Sequence, residues 1–289
     1  MNKQSHYSNK LLSHRLRSFS EIEHTPSALK AACLSGIHYL EIDCRVSKDG
    51  NIFIYHNPNS GNDINGKFSF SKTKSSVIEK SCFANGEKIL TLDKALEIFA
   101  DLRSDDQILC IDIKDYGFEK RYLKEVRYYG LENNISFISW IPQTLIQLHK
   151  IGSKAPLIFS HWNIIIFKKV GKLISEIIKN KIFRFSYYVI LGNQTFMKPL
   201  KFYSHGYQYG YICQEIPDKI AHILLNTRGG VCIPLSMINN QVIEYFTKKK
   251  LRLWVFNTKG TEQFLKYASV KDIEVVFCDN AAKVYSDIT

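Results

Sequence analysis

Two histidines, three carboxylates, an arginine and a lysine stand near the ends of strand-like runs in the first half of this 289-residue chain. His14-Arg15 follow Leu11-Leu12. Glu41-Ile42-Asp43 lie in an apolar run from Ile37 to Val46, and their two-residue spacing sends both carboxylates to one face of a strand. His56-Asn57 close a short extended run from Ile52, and Asp112-Ile113-Lys114 close another that begins at Ile108. Three carboxylates, all oxygen donors, suit one divalent cation, Mg2+ or Ca2+, rather than zinc. Arg15 and Lys114 are suited to neutralising phosphate oxygens. Two imidazoles meet the proton demands of phosphodiester cleavage: one takes a proton from the attacking hydroxyl or water, the other protonates the leaving alkoxide.

Each piece alone has a plainer reading. Glu41 and Asp43 could form a salt-bridge node inside a barrel, and a single histidine at a strand end is more often a hydrogen-bonded structural residue. Four such sites at successive strand positions, all complementary to one phosphate and one metal, favour the chemistry.

Such groups gather at the carboxyl ends of strands in a parallel barrel, where the βα loops open. The chain has the alternation this requires. A helix is expected from Pro26 to Ser35, capped by Thr25 and stopped at Gly36, then a strand over Ile37–Val46. Asp49-Gly50 turns the chain into the run Ile52–His56, and Pro58–Ser76 reads as loop. Helices over Leu92–Phe99, Phe118–Tyr129 and Pro142–Lys150 alternate with strands over Ile108–Ile113, Ile135–Ser139 and Pro156–Ser160. Val231–Leu235, Leu251–Phe256 and Ile273–Cys278 are later strands, separated by helices over Gln241–Lys249 and Thr261–Ala268. A further strand near Tyr187–Leu191 brings the count to about eight, which favours a TIM (β/α)8 barrel over an open doubly wound sheet. The expected organisation is a flexible segment over residues 1–10 and one domain over 11–289, with the rhythm least legible over Asn163–Thr227.

Thirty-nine Lys and Arg against 27 Asp and Glu leave a formal net charge of +12, which favours an anionic partner. No zinc-finger or helix-turn-helix pattern accompanies it, so nucleic acid is not expected. Seven scattered cysteines without a CxxC pair indicate reduced thiols and a cytoplasmic compartment. No signal-peptide run or stretch of about 20 apolar residues is present. Ile164–Phe185 places Ile166, Phe167, Val170, Leu173, Ile174, Ile177 and Ile178 at helical spacing beside six basic residues. It reads as a barrel helix with a solvated lysine face, or as a helix in peripheral contact with an anionic membrane. Aromatic residues over Tyr203–Tyr211 read as packing, or as the lining of a substrate pocket.

In order along the chain, His14-Arg15, Glu23-His24-Thr25, Glu41-Ile42-Asp43, Lys48-Asp49-Gly50 and His56 resemble the HRG, ENT, ELD, KDG and HD signatures of the glycerophosphodiester phosphodiesterase family. Gly86–Leu92 resembles its GE-x-IPTL segment, Asp112-Ile113-Lys114 its EIK, Trp254–Asn257 its WTVN and Cys278-Asp279 its closing TD. The resemblance implies a TIM barrel that hydrolyses glycerophosphodiesters to glycerol 3-phosphate and an alcohol. It implies Glu41, Asp43 and Asp112 as metal ligands, His14 and His56 as acid and base, and Arg15 and Lys114 as phosphate-binding groups. Trp254 would line the pocket, and Glu23 would sit at its mouth as a metal-side or supporting residue. Leu16 stands where the family has Gly, Asn57 where it has Asp, and Asp112 where it has the longer Glu. The family's insertion after the second histidine is reduced to about thirty residues, Pro58–Glu87, which should open the mouth. Two other readings stay open: a phospholipase D- or C-like phosphodiesterase at a membrane surface, and a barrel that binds a phosphorylated ligand without turning it over. Oligomeric state is not legible.

Overall fold

The computed structural model of the chain describes residues 5–163, 212–213 and 216–289. Eight strands close on one another, all parallel: β1 (Leu11–Ser13), β2 (Tyr39–Val46), β4 (Ile108–Ile113), β5 (Ile135–Ser139), β6 (Leu157–Ser160), β9 (Gly230–Pro234), β10 (Arg252–Thr258) and β11 (Ile273–Cys278). Pairing of β1 with both β11 and β2 closes the ring, so the fold is a TIM barrel. The strand expected near Tyr187–Leu191 lies outside the described residues, and the barrel does not need it. Ile158 of β6 pairs directly with Gly230 of β9. Gly229 permits that seam, because a Cβ there would meet the carbonyl oxygen of Leu157 at 1.9 Å; Gly230 permits the pairing of β9 with β10, where a Cβ would meet the carbonyl oxygen of Arg252 at 2.3 Å.

Of the remaining strands, β3 (Ile52–Ile54) returns antiparallel to β2 across the Asp49-Gly50 turn. The short β7 (Trp162–Asn163) pairs with β8 (Ile212–Cys213) outside the barrel. Among the described residues the α-helices are α1 (Pro26–Cys33), α2 (Ser75–Ile78), α3 (Leu92–Leu102), α4 (Glu119–Tyr128), α5 (Pro142–Lys150), α6 (Asp218–Asn226), α7 (Asn240–Lys248), α8 (Thr261–Ala268) and α9 (Ala281–Ile288). Thr25 and Thr91 cap α1 and α3 by accepting from the amides of Ala28 and Lys94. Gly36 takes a left-handed φ of 77° beyond the end of α1.

The barrel interior is a packed cluster of Leu12, Tyr39, Cys110, Ile138, Ile158, Cys232, Trp254, Val275 and Phe277. Every barrel strand contributes to it, so it forms a floor rather than a channel. The larger apolar cluster lies between strands and helices. A third, built from Phe53, Tyr55, Ile64, Phe70, Ile78, Phe83 and Ile89, gives the segment after β3 its own small core. That segment is therefore not all loop: it carries a 3-10 turn at Phe70–Lys72 and the start of α2 within Pro58–Ser76. The basic stretch 164–185 and the aromatic stretch 203–211 lie outside the described residues. No helix of the described residues is long and apolar enough to cross a membrane.

Candidate active site

Strand register explains which side chains meet. Asp43 of β2 lies directly opposite Asp112 of β4, and Glu41 shares the face of Asp43 one pleat below. Like charges facing each other across a strand pair are unfavourable unless a cation joins them. Lys114, two residues beyond Asp112, supplies one: its Nζ is 2.7 Å from Asp43 Oδ1 and 2.5 Å from Asp112 Oδ2. Arg15 approaches from the other side, with Nε 3.1 Å from Asp43 Oδ2, while its backbone N–H donates to Glu41 Oε2 at 2.8 Å. That donation depends on a tight turn after β1, in which Arg15 and Leu16 both adopt left-handed φ, 54° and 57°. Leu16 is thus a side chain in a conformation that suits glycine, and it is 1% exposed within the main core.

The three carboxylates are buried, and ligand atoms from each lie within 4.8 Å of one another. Burial works against ionisation of Asp43, yet Lys114 and Arg15 hold it well below the carboxylate range. Burial, followed by the charges of Asp43 and Asp112, pushes Glu41 well above that range. Asp112 is also raised, chiefly by burial, despite Lys114. Its Oδ1 is buried and accepts no hydrogen bond among the described residues. Excess negative charge, oxygen-only donors and an orphaned carboxylate oxygen fit a hard divalent cation.

His14 follows Ser13, which pairs with Cys278, and Asp279 follows Cys278; adjacent strand ends therefore set His14 beside Asp279. His14 Nδ1 lies 2.6 Å from Asp279 Oδ1. Arg17 Nη1 donates to the same oxygen at 2.8 Å, and Asn257 Nδ2 donates to Oδ2 at 2.6 Å. Burial opposes ionisation of Asp279, but these three partners hold its carboxyl well below the usual range. Burial lowers the pKa of His14, against the pull of Asp279. His56 is delivered by the hairpin return after β3, not by a barrel strand. Its Nδ1 is 3.0 Å from Asn57 Oδ1. Burial, reinforced by Lys114 and Arg15 against the pull of Asp43, lowers its pKa to about 3.

Together these groups line a cavity of about 510 Å³ at the carboxyl ends of the strands. His14, Arg15, Glu41, Asp43, His56, Asp112 and Lys114 all line it. Two of the expected residues stand elsewhere. Trp254 is 0% exposed in the barrel floor; Phe256, two residues on along the same strand face, reaches the cavity, where its ring meets Trp140 edge-on at 5.6 Å. Glu23 does not line the cavity but binds the arginines that do, with Oε2 2.8 Å from Arg17 Nε and Oε1 3.6 Å from Arg15 Nη1. Arg17, Arg45 and Trp140 also line the cavity without being among the site residues the sequence points to, and Asn257 joins them from the Trp254–Asn257 motif, where it had no assigned role. Arg45 had a legible signal: it continues the two-residue face of Glu41 and Asp43.

The sequence model of the Glycerophosphoryl diester phosphodiesterase family matches residues 11–164. No curated protein sequence matches the chain. Similar solved structures include a glycerophosphodiester phosphodiesterase from Agrobacterium tumefaciens, 16% identical, with 96% of this chain and 99% of that one covered at a TM-score of 0.64. Another is a phosphodiesterase from Oleispira antarctica in complex with the product sn-glycerol-3-phosphate, 16% identical, with 96% of each chain covered and a TM-score of 0.65. A third is the Thermotoga maritima glycerophosphodiester phosphodiesterase, 18% identical, covering 97% of this chain and 98% of that one with a TM-score of 0.62. These likenesses agree on the barrel, and the family match spans more than half of the 289 residues. The chain belongs to the glycerophosphoryl diester phosphodiesterase family and is a phosphodiesterase.

Proposed function

We propose that the barrel over residues 11–289 is a metal-dependent hydrolase of glycerophosphodiesters, releasing glycerol 3-phosphate and an alcohol, with His56 as general base and His14 as general acid. The observation that carries this reading is the convergence of both histidines, three carboxylates, Arg15 and Lys114 on one cavity. The product bound to the Oleispira antarctica protein supports glycerol 3-phosphate as the phosphate-bearing half.

Glu41, Asp43 and Asp112 would hold one Mg2+ or Ca2+, whose charge supplies Lewis-acid polarisation of the phosphoryl oxygens. Arg15 and Lys114 add positive charge beside the same oxygens and favour the additional negative charge of the transition state. The histidine roles follow from their partners. Asn57 Oδ1 can only accept, so His56 Nδ1 carries the hydrogen and Nε2 keeps its lone pair. Burial, which lowers its pKa to about 3, keeps that ring neutral, with the Nε2 lone pair free, at physiological pH. His14 Nδ1 donates instead to the carboxylate of Asp279, which favours the imidazolium against the lowering by burial; in that protonated form the ring has Nε2–H as the proton to give. As the attacking oxygen bonds to phosphorus, its proton passes to His56 Nε2. As the bond from phosphorus to the leaving oxygen breaks, His14 Nε2 gives that oxygen a proton. Exchange of one proton each with solvent restores the pair.

Purified protein incubated with glycerophosphodiesters and with bis(p-nitrophenyl) phosphate, in Mg2+, Ca2+ or Mn2+, tests the reading. Turnover that EDTA abolishes is expected. Absence of turnover across a broad diester panel would leave a barrel that binds phosphorylated ligands only.

A further inference from the structure

His56 stands on a hairpin return, so the barrel ring itself does not fix its position. Its main chain is held instead from β2. The Tyr55 amide donates to the carbonyl of Asp43 at 2.9 Å, and Nε of Arg45 donates to the carbonyl of His56 at 2.8 Å. Arg45 is fully buried, and its Nη1 is 3.2 Å from Oδ1 of Asp115, which is also fully buried. Asp115 Oδ2 in turn accepts from the Val46 amide at 2.8 Å, locking the carboxylate to the strand that carries Arg45. Asp115 directly follows Lys114. A continuous buried path thus runs from the end of β4, which carries Asp112 and Lys114, through Asp115 and Arg45, to the backbone of His56.

We propose that Arg45, anchored by Asp115, is a positioning residue that holds His56 in register with the carboxylate cluster; this rests on His56 being the general base. A buried guanidinium with a fixed fork of donors suits this task, since one face can hold a carbonyl while another holds a carboxylate. Arg45 also shares the inward face of Glu41 and Asp43, so one strand sets two of the three cation ligands and, through Arg45, the base. Misplacing a reacting group by about 1 Å can slow a reaction by about 100-fold.

A double-mutant cycle on a diester that turns over gives the test. Arg45→Met should lower kcat by about 100-fold with KM changed less than about threefold. The same substitution in a His56→Ala background should have almost no further effect, because the group it positions is already gone. Arg45→Ala should regain at least about tenfold of its lost kcat with added guanidinium ion, and lose that rescue when His56 is also Ala. Arg45→Met/Asp115→Asn, which leaves no unpaired buried charge, should repeat the kcat loss if Arg45→Met alone folds poorly. An equal slowing by Arg45→Met with and without His56, or a loss confined to KM, would overturn the proposal in favour of direct substrate contact. A wild-type protein without diester turnover would defeat the base assignment rather than the geometry. In that case a crystal structure of Arg45→Met still decides the positioning: a displaced His56 ring supports it, an unmoved ring overturns it.

Discussion

His14 Nδ1 lies 2.6 Å from Asp279 Oδ1, a contact between residues 265 apart in sequence that joins the first barrel strand to the last. It forms because the two residues follow paired positions, Ser13 and Cys278, at neighbouring strand ends. Asp279 orients the ring and favours its protonated form, while Arg17 and Asn257 orient Asp279. Asp279→Ala should therefore lower kcat by about 100-fold or more while KM changes little, as expected for loss of a positioned acid. Steady-state kinetics on an alkyl diester check it; an unchanged kcat would remove Asp279 from the account of His14.

Chelation is the next test. Protein treated with EDTA should lose turnover and regain it with Mg2+ or Ca2+. Added cation should also raise the melting temperature of the wild type, since it relieves the crowding of Glu41, Asp43 and Asp112 and binds only the folded chain. Asp112→Asn should weaken that cation dependence by at least about tenfold, by analogy with the smaller losses that supporting residues around metal sites produce. Calorimetric titration of both proteins measures the difference.

Leu16 occupies a left-handed turn position, φ 57°, with its side chain buried. Leu16→Gly relieves about 1 kcal/mol of backbone strain but empties a core site and loosens the unfolded chain. Loss of the buried side chain dominates, so the variant should be destabilised by about 2–4 kcal/mol in urea denaturation. An unchanged or higher midpoint would mean that the leucine contributes nothing to packing there.

His161 gives a stability prediction away from the catalytic groups. Its ring stacks on Phe159 at 4.7 Å, Nε2 is buried without a hydrogen bond among the described residues, and burial lowers its pKa to about 4. The unfolded chain therefore binds this proton first. Stability should be intact above about pH 6.5 and fall as pH drops towards 4, by up to about 3 kcal/mol. His24 and His56 are depressed too and add to the wild-type slope, so the difference between wild type and His161→Phe isolates this residue. Equal slopes in denaturation at pH 7 and pH 4.5 would contradict it.

The sequence disclosed the barrel where burial on both strand faces leaves largely apolar runs, each broken by a single acid, as in Ile108–Ile113 and Ile273–Cys278, and where caps and glycine stops mark helix ends, as at Thr25 and Gly36. It failed at α9, whose Asn280 makes no side-chain cap even though Ala281, Val284 and Ile288 fall on one buried face. The roles of individual strands were less legible: β3 forms a hairpin with β2, and β6 pairs directly with β9 in the barrel. Within the site, residues on the chemically obvious strand ends were legible. Arg45 was legible only as the next residue on the face of Glu41 and Asp43; its pairing with Asp115 and its hold on the His56 carbonyl were not, because register alone brings those groups together. Trp254 and Phe256 differ by one layer of barrel depth, which spacing cannot reveal.

The division of labour between the two histidines is tested most directly by varying the leaving group. An activated p-nitrophenolate departs without a proton, whereas an alkoxide needs one. His14→Ala should therefore be slowed by about 1,000-fold on a glycerophosphodiester with an alkyl leaving group, yet by less than about tenfold on a p-nitrophenyl ester of glycerol phosphate. His56→Ala should be slowed strongly on both. The reverse pattern, with His56→Ala rescued by the better leaving group and His14→Ala not, would contradict the assignment of His14 as acid and His56 as base.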